Sequence, residues 1–268
     1  MSPLATHALL RSPSPALTEC QLLHLPRGRL DFATALRQHQ AYAAALAEAG
    51  VAVTTLPAEA HLPDAVFVED TAVLLDEVAI LCRPGTPSRV AEVTLIRPAV
   101  AFLRTVGAIQ APGTLEGGDV LRVGRTLFVG RSTRTNPEGI RQLRALVTPH
   151  RYEVTEVAVR GALHLKTGIT APAPGLMVAN PAWIDLAAFR PFEVVPVPAD
   201  EPWGANVLPL NDLVLVAAAA PRTAALLRDR GLEVRLVDIS ELQKAEAGLT
   251  CLSLVYRERT GPSHTTAL

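Results

Sequence analysis

Residues 66–111, VFVEDTAVLLDEVAILCRPGTPSRVAEVTLIRPAVAFLRTVGAIQA, carry one complete structural unit. An apolar stretch at 66–75 turns at Asp76-Glu77 into a second at 78–82, which is a hairpin signal. Thr86-Pro87 then opens a helix that ends near Gly107, with a polar cap, proline at the first helical position and glycine past the end. Pro98 falls inside that helix and must kink or interrupt it. A third apolar stretch, 108–111, completes the unit as strand, strand, helix, strand.

The pattern recurs along the chain. Further helices start at Asp31 (running to Gly50), at Asn136-Pro137, at Asn180-Pro181 (a short one) and at Pro221 (ending at Gly231). Single apolar stretches follow them at 51–56, 152–159, 193–197 and 233–239. Hairpins precede them: 120–123 with 126–129 about Gly124-Arg125, 169–171 with 176–179 across 172–175, and 207–210 with 213–219 about Asn211-Asp212. The fifth hairpin is split between the chain ends, 251–256 supplying one strand and 7–11 the other. Ends that share a module close a ring and leave no open sheet edge. The expected fold is a single α/β domain over residues 1–268, a ring of five such units, with a polar, frayed tail at 257–268.

One polar residue stands at the start of each hairpin: Asp70, a little inside its strand, then Glu116, His164, Asn206 and Cys251. The gaps of 46, 48, 42 and 45 residues are those of a repeat architecture. In a ring, equivalent positions face one axis, so residues remote in sequence become neighbours. Polar loop starts are common, and that would account for one or two of the five. It does not account for two carboxylates, an imidazole and a thiol in phase.

Such a set suits covalent catalysis. A thiolate attacks, a neighbouring cation favours its ionised form, a carboxylate fixes the imidazole tautomer, and a second carboxylate holds a cationic substrate. Arginines recur at two helix entries, in 83–89 (RPGTPSR) and 131–136 (RSTRTN), an arrangement able to take a carboxylate in bidentate fashion. Arg83 and Arg131 read more simply as solubilising surface groups.

Bulk properties agree with a soluble enzyme. Apolar residues make up 49% of the 268 and charged residues 19%, enough for a sizeable core. The net charge of −1 and the lack of a basic run give no reason to expect a nucleic-acid partner. No apolar run reaches the roughly 18 residues of a membrane span, and the N-terminus lacks a secretory pattern. Three cysteines at irregular spacing form neither a disulfide framework nor a zinc cluster, which places the chain in the reducing cytoplasm. Cys20 and Cys82 read as structural.

The quoted segments also resemble dimethylarginine dimethylaminohydrolases, members of the arginine-modifying superfamily with the pentein fold, a five-bladed α/β propeller of pseudo-fivefold symmetry. The resemblance rests on 37–42 (RQHQAY), 63–70 (PDAVFVED), 83–89 (RPGTPSR), 115–121 (LEGGDVL), 134–136 (RTN), 163–167 (LHLKT), 205–206 (AN) and 249–251 (LTC), in order from about residue 7 to 256. It implies hydrolysis of dimethylarginine or monomethylarginine to citrulline plus an amine, through a covalent thiouronium-type intermediate, in amino-acid metabolism and nitric oxide mediated regulation.

By the same resemblance Cys251 is the nucleophile, His164 the acid and base, and Glu116 its supporting carboxylate. Asp70 holds the guanidinium, with Asp64 and Glu69 nearby. Phe67 packs on the substrate, Arg89 and Arg134 grip the α-carboxylate, and the Ala245 carbonyl takes the α-amine. A lid at 20–29 is expected to cover the pocket with Leu22 or Leu23. Lys166 stands where arginine deiminases place Asp, so one carboxylate clamp is removed, leaving room for methyl groups. The sequence departs from the family pattern at 245–248 (AEAG).

Water completes the reaction, so neither cofactor nor metal is expected, although cysteine and histidine are zinc-ligating types. The partner is a small molecule, and a monomer or homodimer would both serve. The nearest alternatives are an arginine deiminase-like hydrolase or an amidinotransferase. From a different class comes a non-catalytic propeller, which has no reason to keep the four reactive groups together.

Overall fold

The computed structural model describes residues 5–258. In chain order the principal elements are β1 (His7–Arg11), α1 (Phe32–Glu48), β2 (Ala52–Leu56), β3 (Ala72–Leu74), β4 (Val78–Leu81), α2 (Val90–Leu103), β5 (Thr105–Ala108), β6 (Val120–Val123), β7 (Thr126–Arg131), α3 (Pro137–Val147), β8 (Glu153–Ala158), α4 (Leu165–Gly168), β9 (Ile169–Ala173), β10 (Leu176–Ala179), β11 (Glu193–Pro196), β12 (Leu208–Leu210), β13 (Leu213–Ala217), α5 (Pro221–Arg228), β14 (Glu233–Val237), α6 (Ser240–Gln243) and β15 (Leu254–Tyr256).

The strands form five three-stranded sheets, ordered β15-β1-β2, β3-β4-β5, β6-β7-β8, β9-β10-β11 and β12-β13-β14. In every sheet the central strand pairs antiparallel on one side and parallel on the other. The split fifth module is present, with Leu9 opposite Leu254 and His7 opposite Ala52. The fold is thus the five-bladed α/β propeller of ββαβ units. Most of the expected tail, 257–268, lies outside the described residues. Of its first two positions, Glu258 donates its backbone N–H to Thr6 Oγ1 at 2.8 Å.

The helix caps behave as the sequence indicates. Asp31 accepts from the Thr34 amide at 2.7 Å and Asn136 from the Gly139 amide at 2.8 Å, each satisfying a free N–H of the first turn. Gly50 and Gly231 follow their helices with positive φ. Three expectations are corrected. First, α2 runs through Pro98 and ends at Leu103, not near Gly107. Gly107 lies within β5, where a Cβ would come 3.0 Å from Leu146 Cδ2 and 3.2 Å from Ile80 Cδ1. That glycine serves close packing of the strand, not helix termination.

Second, Asn180-Pro181 opens no helix. The Asn180 side chain accepts from the Ala182 amide at 3.0 Å and donates to the Pro202 carbonyl at 3.1 Å, which closes a local turn. Between β10 and β11 the blade keeps only a 3-10 turn, Leu186–Phe189, capped by Asp185. Third, the first strand of the β3-β4-β5 blade begins at Ala72. Residues Val68–Thr71 form a 3-10 turn, so Asp70 precedes its strand as the other in-phase residues do.

Buried apolar side chains gather between neighbouring blades. One cluster joins Leu10, Leu17, Tyr42 and Leu46 of the split blade to Leu215 of the β12-β13-β14 blade and to Leu242 after it. Within it the Tyr42 hydroxyl meets Ser253 Oγ at 2.7 Å, so the phenol is buried with its hydrogen bond made. This packing fixes α1 against the segment that carries Cys251. No helix among the described residues is long and apolar enough to cross a membrane.

Candidate active site

Four of the five in-phase residues sit on tight turns just ahead of their strands. Asp70 lies in the turn Val68–Thr71, Glu116 caps the turn Gly117–Asp119, His164 caps α4, and Cys251 lies in the turn Thr250–Leu252. Side chains on these turns point to the hub instead of into a sheet face. Gly118 lets them meet. Its amide donates to Asp70 Oδ1 at 3.0 Å, and a Cβ there would stand 2.7 Å from His164 Nδ1.

His164 is buried, with Nε2 2.6 Å from Glu116 Oε2 and 3.8 Å from Asp70 Oδ1. Burial disfavours the imidazolium, but the charge of Asp70 and the bond to Glu116 outweigh it, raising the histidine to about 9. Glu116 is itself held: its Oε1 accepts from the Gly85 amide at 3.0 Å and lies 3.6 Å from Arg134 Nη1. The His164 turn is fixed by Asp119, which accepts from the Leu165 amide at 2.9 Å and from Ser132 Oγ at 2.6 Å.

Asp70 carries two partners, the Gly118 amide on Oδ1 and Arg89 Nη1 on Oδ2 at 2.7 Å. Burial pushes its carboxyl up, but His164 and Arg89 more than compensate and hold it below the usual range. The rest of the Arg89 fork is spent on Glu92, with Nε and Nη2 both donating to that carboxylate. Its Nη2 also reaches the Phe67 carbonyl at 3.2 Å. Arg89 therefore does not stand free as a carboxylate grip: it is buried and paired with acids of its own chain. Arg134 Nη1 contacts Thr86 Oγ1.

Asp70, Glu116 and His164 also place ligand-type atoms within 4.8 Å of one another. Two guanidinium groups supply positive charge beside this cluster: Arg89, whose Nη1 is 3.9 Å from Glu116, and Arg134. At Cys251 the sulfur accepts from the Gly248 amide at 3.3 Å. Burial and the charges of Glu69 and Asp70 push the thiol well above its usual range, so Cys251 and His164, which line the same cavity, are both shifted toward their protonated forms.

Cys251, His164, Asp70, Asp64, Phe67, Arg89, Arg134 and Ala245 all line one cavity of about 20 Å³. Three expected residues do not line it: Glu116, fully buried and bonded to His164, then Glu69 and Leu22. Glu69 faces the other way: Oε1 pairs with Lys166 Nζ at 2.5 Å, Oε2 accepts from Thr250 Oγ1 at 2.8 Å, and the pair faces a second cavity, about 250 Å³, in the ring's centre. Leu22 packs against the cluster containing Phe67 and Leu249, because an apolar side chain gains more there than over a charged cavity. Leu23 is exposed. The lid residue lining the cavity is Gln21, whose amide bonds Asp64 Oδ1 at 3.1 Å.

Leu163, Glu246, Ala247 and the buried Glu92 also went unread in the sequence. Only Glu92 had a signal, its i,i+3 spacing from Arg89. The fifth in-phase residue, Asn206, is a bracket. Its amide donates to the Lys166 carbonyl at 2.9 Å and to Thr250 Oγ1 at 3.0 Å, and its oxygen accepts from the Thr250 amide at 3.1 Å.

Residues 29–179 match the family model described as N,N dimethylarginine dimethylhydrolase, eukaryotic. The N(G),N(G)-dimethylarginine dimethylaminohydrolase of Streptomyces coelicolor is 43% identical over 253 residues, covering 94% of this chain and 97% of that protein. The chain belongs to the dimethylarginine dimethylaminohydrolase family. The enzyme of the same name from Pseudomonas aeruginosa is 36% identical over 93% of this chain and 99% of its own length.

Among solved structures, a cysteine-to-serine variant of the Pseudomonas aeruginosa enzyme complexed with citrulline superposes with a TM-score of 0.91 at 34% identity, covering 95% of this chain and all of that one. A histidine-to-glycine variant solved as an adduct with S-methyl-L-thiocitrulline gives 0.90 at 35% identity, covering 94% of this chain and all of that one. A cyanobacterial arginine dihydrolase domain, 19% identical, shares the fold with a TM-score of 0.82 over 94% of this chain and 98% of its own.

Proposed function

We propose that this chain hydrolyses N(G),N(G)-dimethyl-L-arginine and N(G)-monomethyl-L-arginine to L-citrulline, releasing dimethylamine or methylamine. One observation carries the reading. Asp70 already holds a guanidinium, that of Arg89, at 2.7 Å, in the cavity that also contains Cys251 and the Glu116-backed His164. A substrate guanidinium seated on Asp70 takes over that contact. Arg89, released from Asp70, then turns with Arg134 to the substrate carboxylate, while Asp64 and the Ala245 carbonyl meet its ammonium. Phe67 packs on the alkyl chain.

The chemistry follows from the charge states. A cationic substrate against the sulfur lowers the cost of the thiolate, whose proton leaves to water. The Cys251 thiolate bonds to the guanidinium carbon. The bond to the methylated nitrogen breaks as imidazolium His164 gives that nitrogen its proton, and a thiouronium-type adduct remains on sulfur. Neutral His164 then takes a proton from water, whose oxygen bonds the same carbon. The carbon–sulfur bond breaks as the added hydroxyl gives its proton to the departing sulfur, leaving citrulline, the Cys251 thiol and imidazolium His164. Glu116 holds the imidazole and stabilises its charged form throughout.

Lys166 supports the preference for methylated arginine. It neutralises Glu69 and draws that carboxylate away from the cavity, leaving Asp70 as the guanidinium clamp. Every residue named comes from one chain, so a monomer or a homodimer would work alike. The three cysteines are free thiols, consistent with a reducing cytoplasm, where consumption of methylarginine bears on nitric oxide mediated regulation. The test is citrulline release from dimethylarginine by the native chain and by Cys251→Ser. Release by the native chain and none by the variant is expected; equal turnover by both would overturn the reading.

A further inference from the structure

We infer that Glu246 is the latch that holds the lid over the catalytic cavity. The catalytic cavity, at about 20 Å³, holds on the order of one water molecule, so a substrate enters only when a wall moves. Its walls are mostly turns rooted in sheets. The exception is the segment 20–31, which contributes Gln21 and contains neither helix nor strand between residues 20 and 30.

That segment turns so that three successive backbone amides converge on one point. Leu23, His24 and Leu25 donate to Glu246 Oε1 at 2.9, 2.5 and 2.7 Å. Converging amides of this kind form an anion-binding concavity, and a carboxylate filling it makes charge-assisted bonds, about twice as strong as neutral ones. Other ties to distant residues are single bonds, beginning with the Gln21 amide to Asp64 and the Gln21 side chain to Ser88 Oγ at 2.8 Å. Lys244 Nζ reaches the Arg29 carbonyl at 3.1 Å, and Glu241 accepts from the Asp31 amide at 2.9 Å.

Two features show that the residue is placed for this task. Glu246 has φ +60°, a conformation that costs a non-glycine residue free energy. Its second oxygen is buried with no hydrogen-bond partner among the described residues. Strain and an unpaired oxygen are offset by what the first oxygen does. Glu246 also lies in the cavity wall between Ala245 and Ala247 and borders a neighbouring cavity of about 310 Å³, lined in part by Leu25. Lid and substrate wall are thereby joined at one side chain. Glu246 touches no reacting atom: it is a positioning residue, acting through the lid.

The kinetic part of the test rests on the methylarginine reading, but the exchange part does not, so the two can fail separately. Hydrogen exchange is measured at the amides of residues 23–25 in the native chain, in Glu246→Gln and in Glu246→Gly, the last of which relieves the backbone strain. Exchange at these three amides should quicken by about tenfold or more in Glu246→Gly, and by less in Glu246→Gln, which keeps an acceptor but loses the charge. With dimethylarginine, KM should rise by about threefold or more while kcat changes less, as expected for a closure step. Protection unchanged within twofold in both variants overturns the latch. So does a loss confined to kcat, which would move Glu246 into the chemistry.

Discussion

Arg89 Nη1 lies 2.7 Å from Asp70 Oδ2, so the carboxylate that faces the catalytic cavity is satisfied by the chain's own guanidinium. Both side chains are buried, and neither charge would be tolerated alone. The pair keeps Asp70 ionised and oriented at rest. It also means that a substrate guanidinium exchanges one ion pair for another, instead of having to ionise a buried acid.

Replacing Asp70 with Asn should therefore damage folding and activity together. Breaking a buried pair by removing one partner costs about 3–5 kcal/mol, and here the lower end is expected because Arg89 keeps Glu92. Citrulline formation should fall by about 100-fold or more, since the positioning of the reacting carbon is lost. Urea unfolding and citrulline assays check the two effects. Full activity with normal stability would show that Asp70 clamps nothing.

Glu116→Gln keeps the hydrogen-bond geometry to His164 Nε2 but removes its negative charge. The histidine, raised to about 9 by Asp70 and Glu116, should then titrate lower. Because proton donation to the leaving amine needs the imidazolium, the alkaline limb of the kcat profile should move to lower pH. The maximum should drop by about 100-fold or more, the usual worth of a positioned acid–base group. A pH–rate series on both proteins decides it; an unshifted alkaline limb would contradict the pairing.

The ring, the split fifth blade and the hub were legible in the sequence because each depends on local signals repeated at a regular interval. Asp31, Asn136 and Pro221 mark helix entries through their own chemistry, and Asp70, Glu116, His164, Asn206 and Cys251 share one phase. Gly107 and Asn180 misled because the same residue type serves two purposes. Glycine ends helices and also admits close packing, and Asn caps helices and also closes local turns. The partners of Arg89 were hidden for a different reason. A guanidinium able to grip a substrate carboxylate is equally able to grip Asp70 and Glu92, and only the three-dimensional arrangement decides between them. The lid was expected at 20–29, but its anchor was not legible, because Glu246 lies more than 200 residues away along the chain, and the residue it brings to the cavity is Gln21, not Leu22 or Leu23.

The raised His164 also predicts how stability varies with pH. A group whose affinity for protons is higher in the folded state stabilises that state fully below its ordinary value of 6.5. The contribution is lost as pH rises through about 9. The native chain should thus lose part of its stability between pH 6.5 and 9 that His164→Asn does not lose. Urea midpoints of the two proteins across that range provide the comparison. Parallel curves would mean that the histidine is not charged in the fold.

Lys166→Met tests the ion pair beneath the site. Glu69 is buried, and burial already pushes its carboxyl up against the charge of Lys166. Without the lysine, stability should fall by about 3 kcal/mol or the carboxyl should take up a proton. The ratio of kcat/KM for arginine to that for dimethylarginine should rise, since Glu69 is no longer drawn away from the hub. An unchanged ratio would remove Lys166 from the account of specificity.

Gly248→Ala probes the bracket behind the nucleophile. Gly248 donates its amide to Cys251 Sγ at 3.3 Å, and its α-carbon lies against the amide of Asn206. A Cβ there would stand 2.3 Å from both Asn206 Cγ and Oδ1, closer than any real contact. Asn206 cannot yield freely, because its two ends bind the Lys166 carbonyl and both the amide and hydroxyl of Thr250. Thr250 in turn precedes Cys251 and bonds Glu69. One added methyl should therefore cost about 1–3 kcal/mol of stability through overpacking and displace the sulfur as well. Pairing it with Asn206→Ala, which clears the space, separates the two effects. The double variant should recover part of the stability lost by Gly248→Ala but not its activity, because the bracket on Thr250 is gone. Recovery of both would show that Asn206 merely fills space.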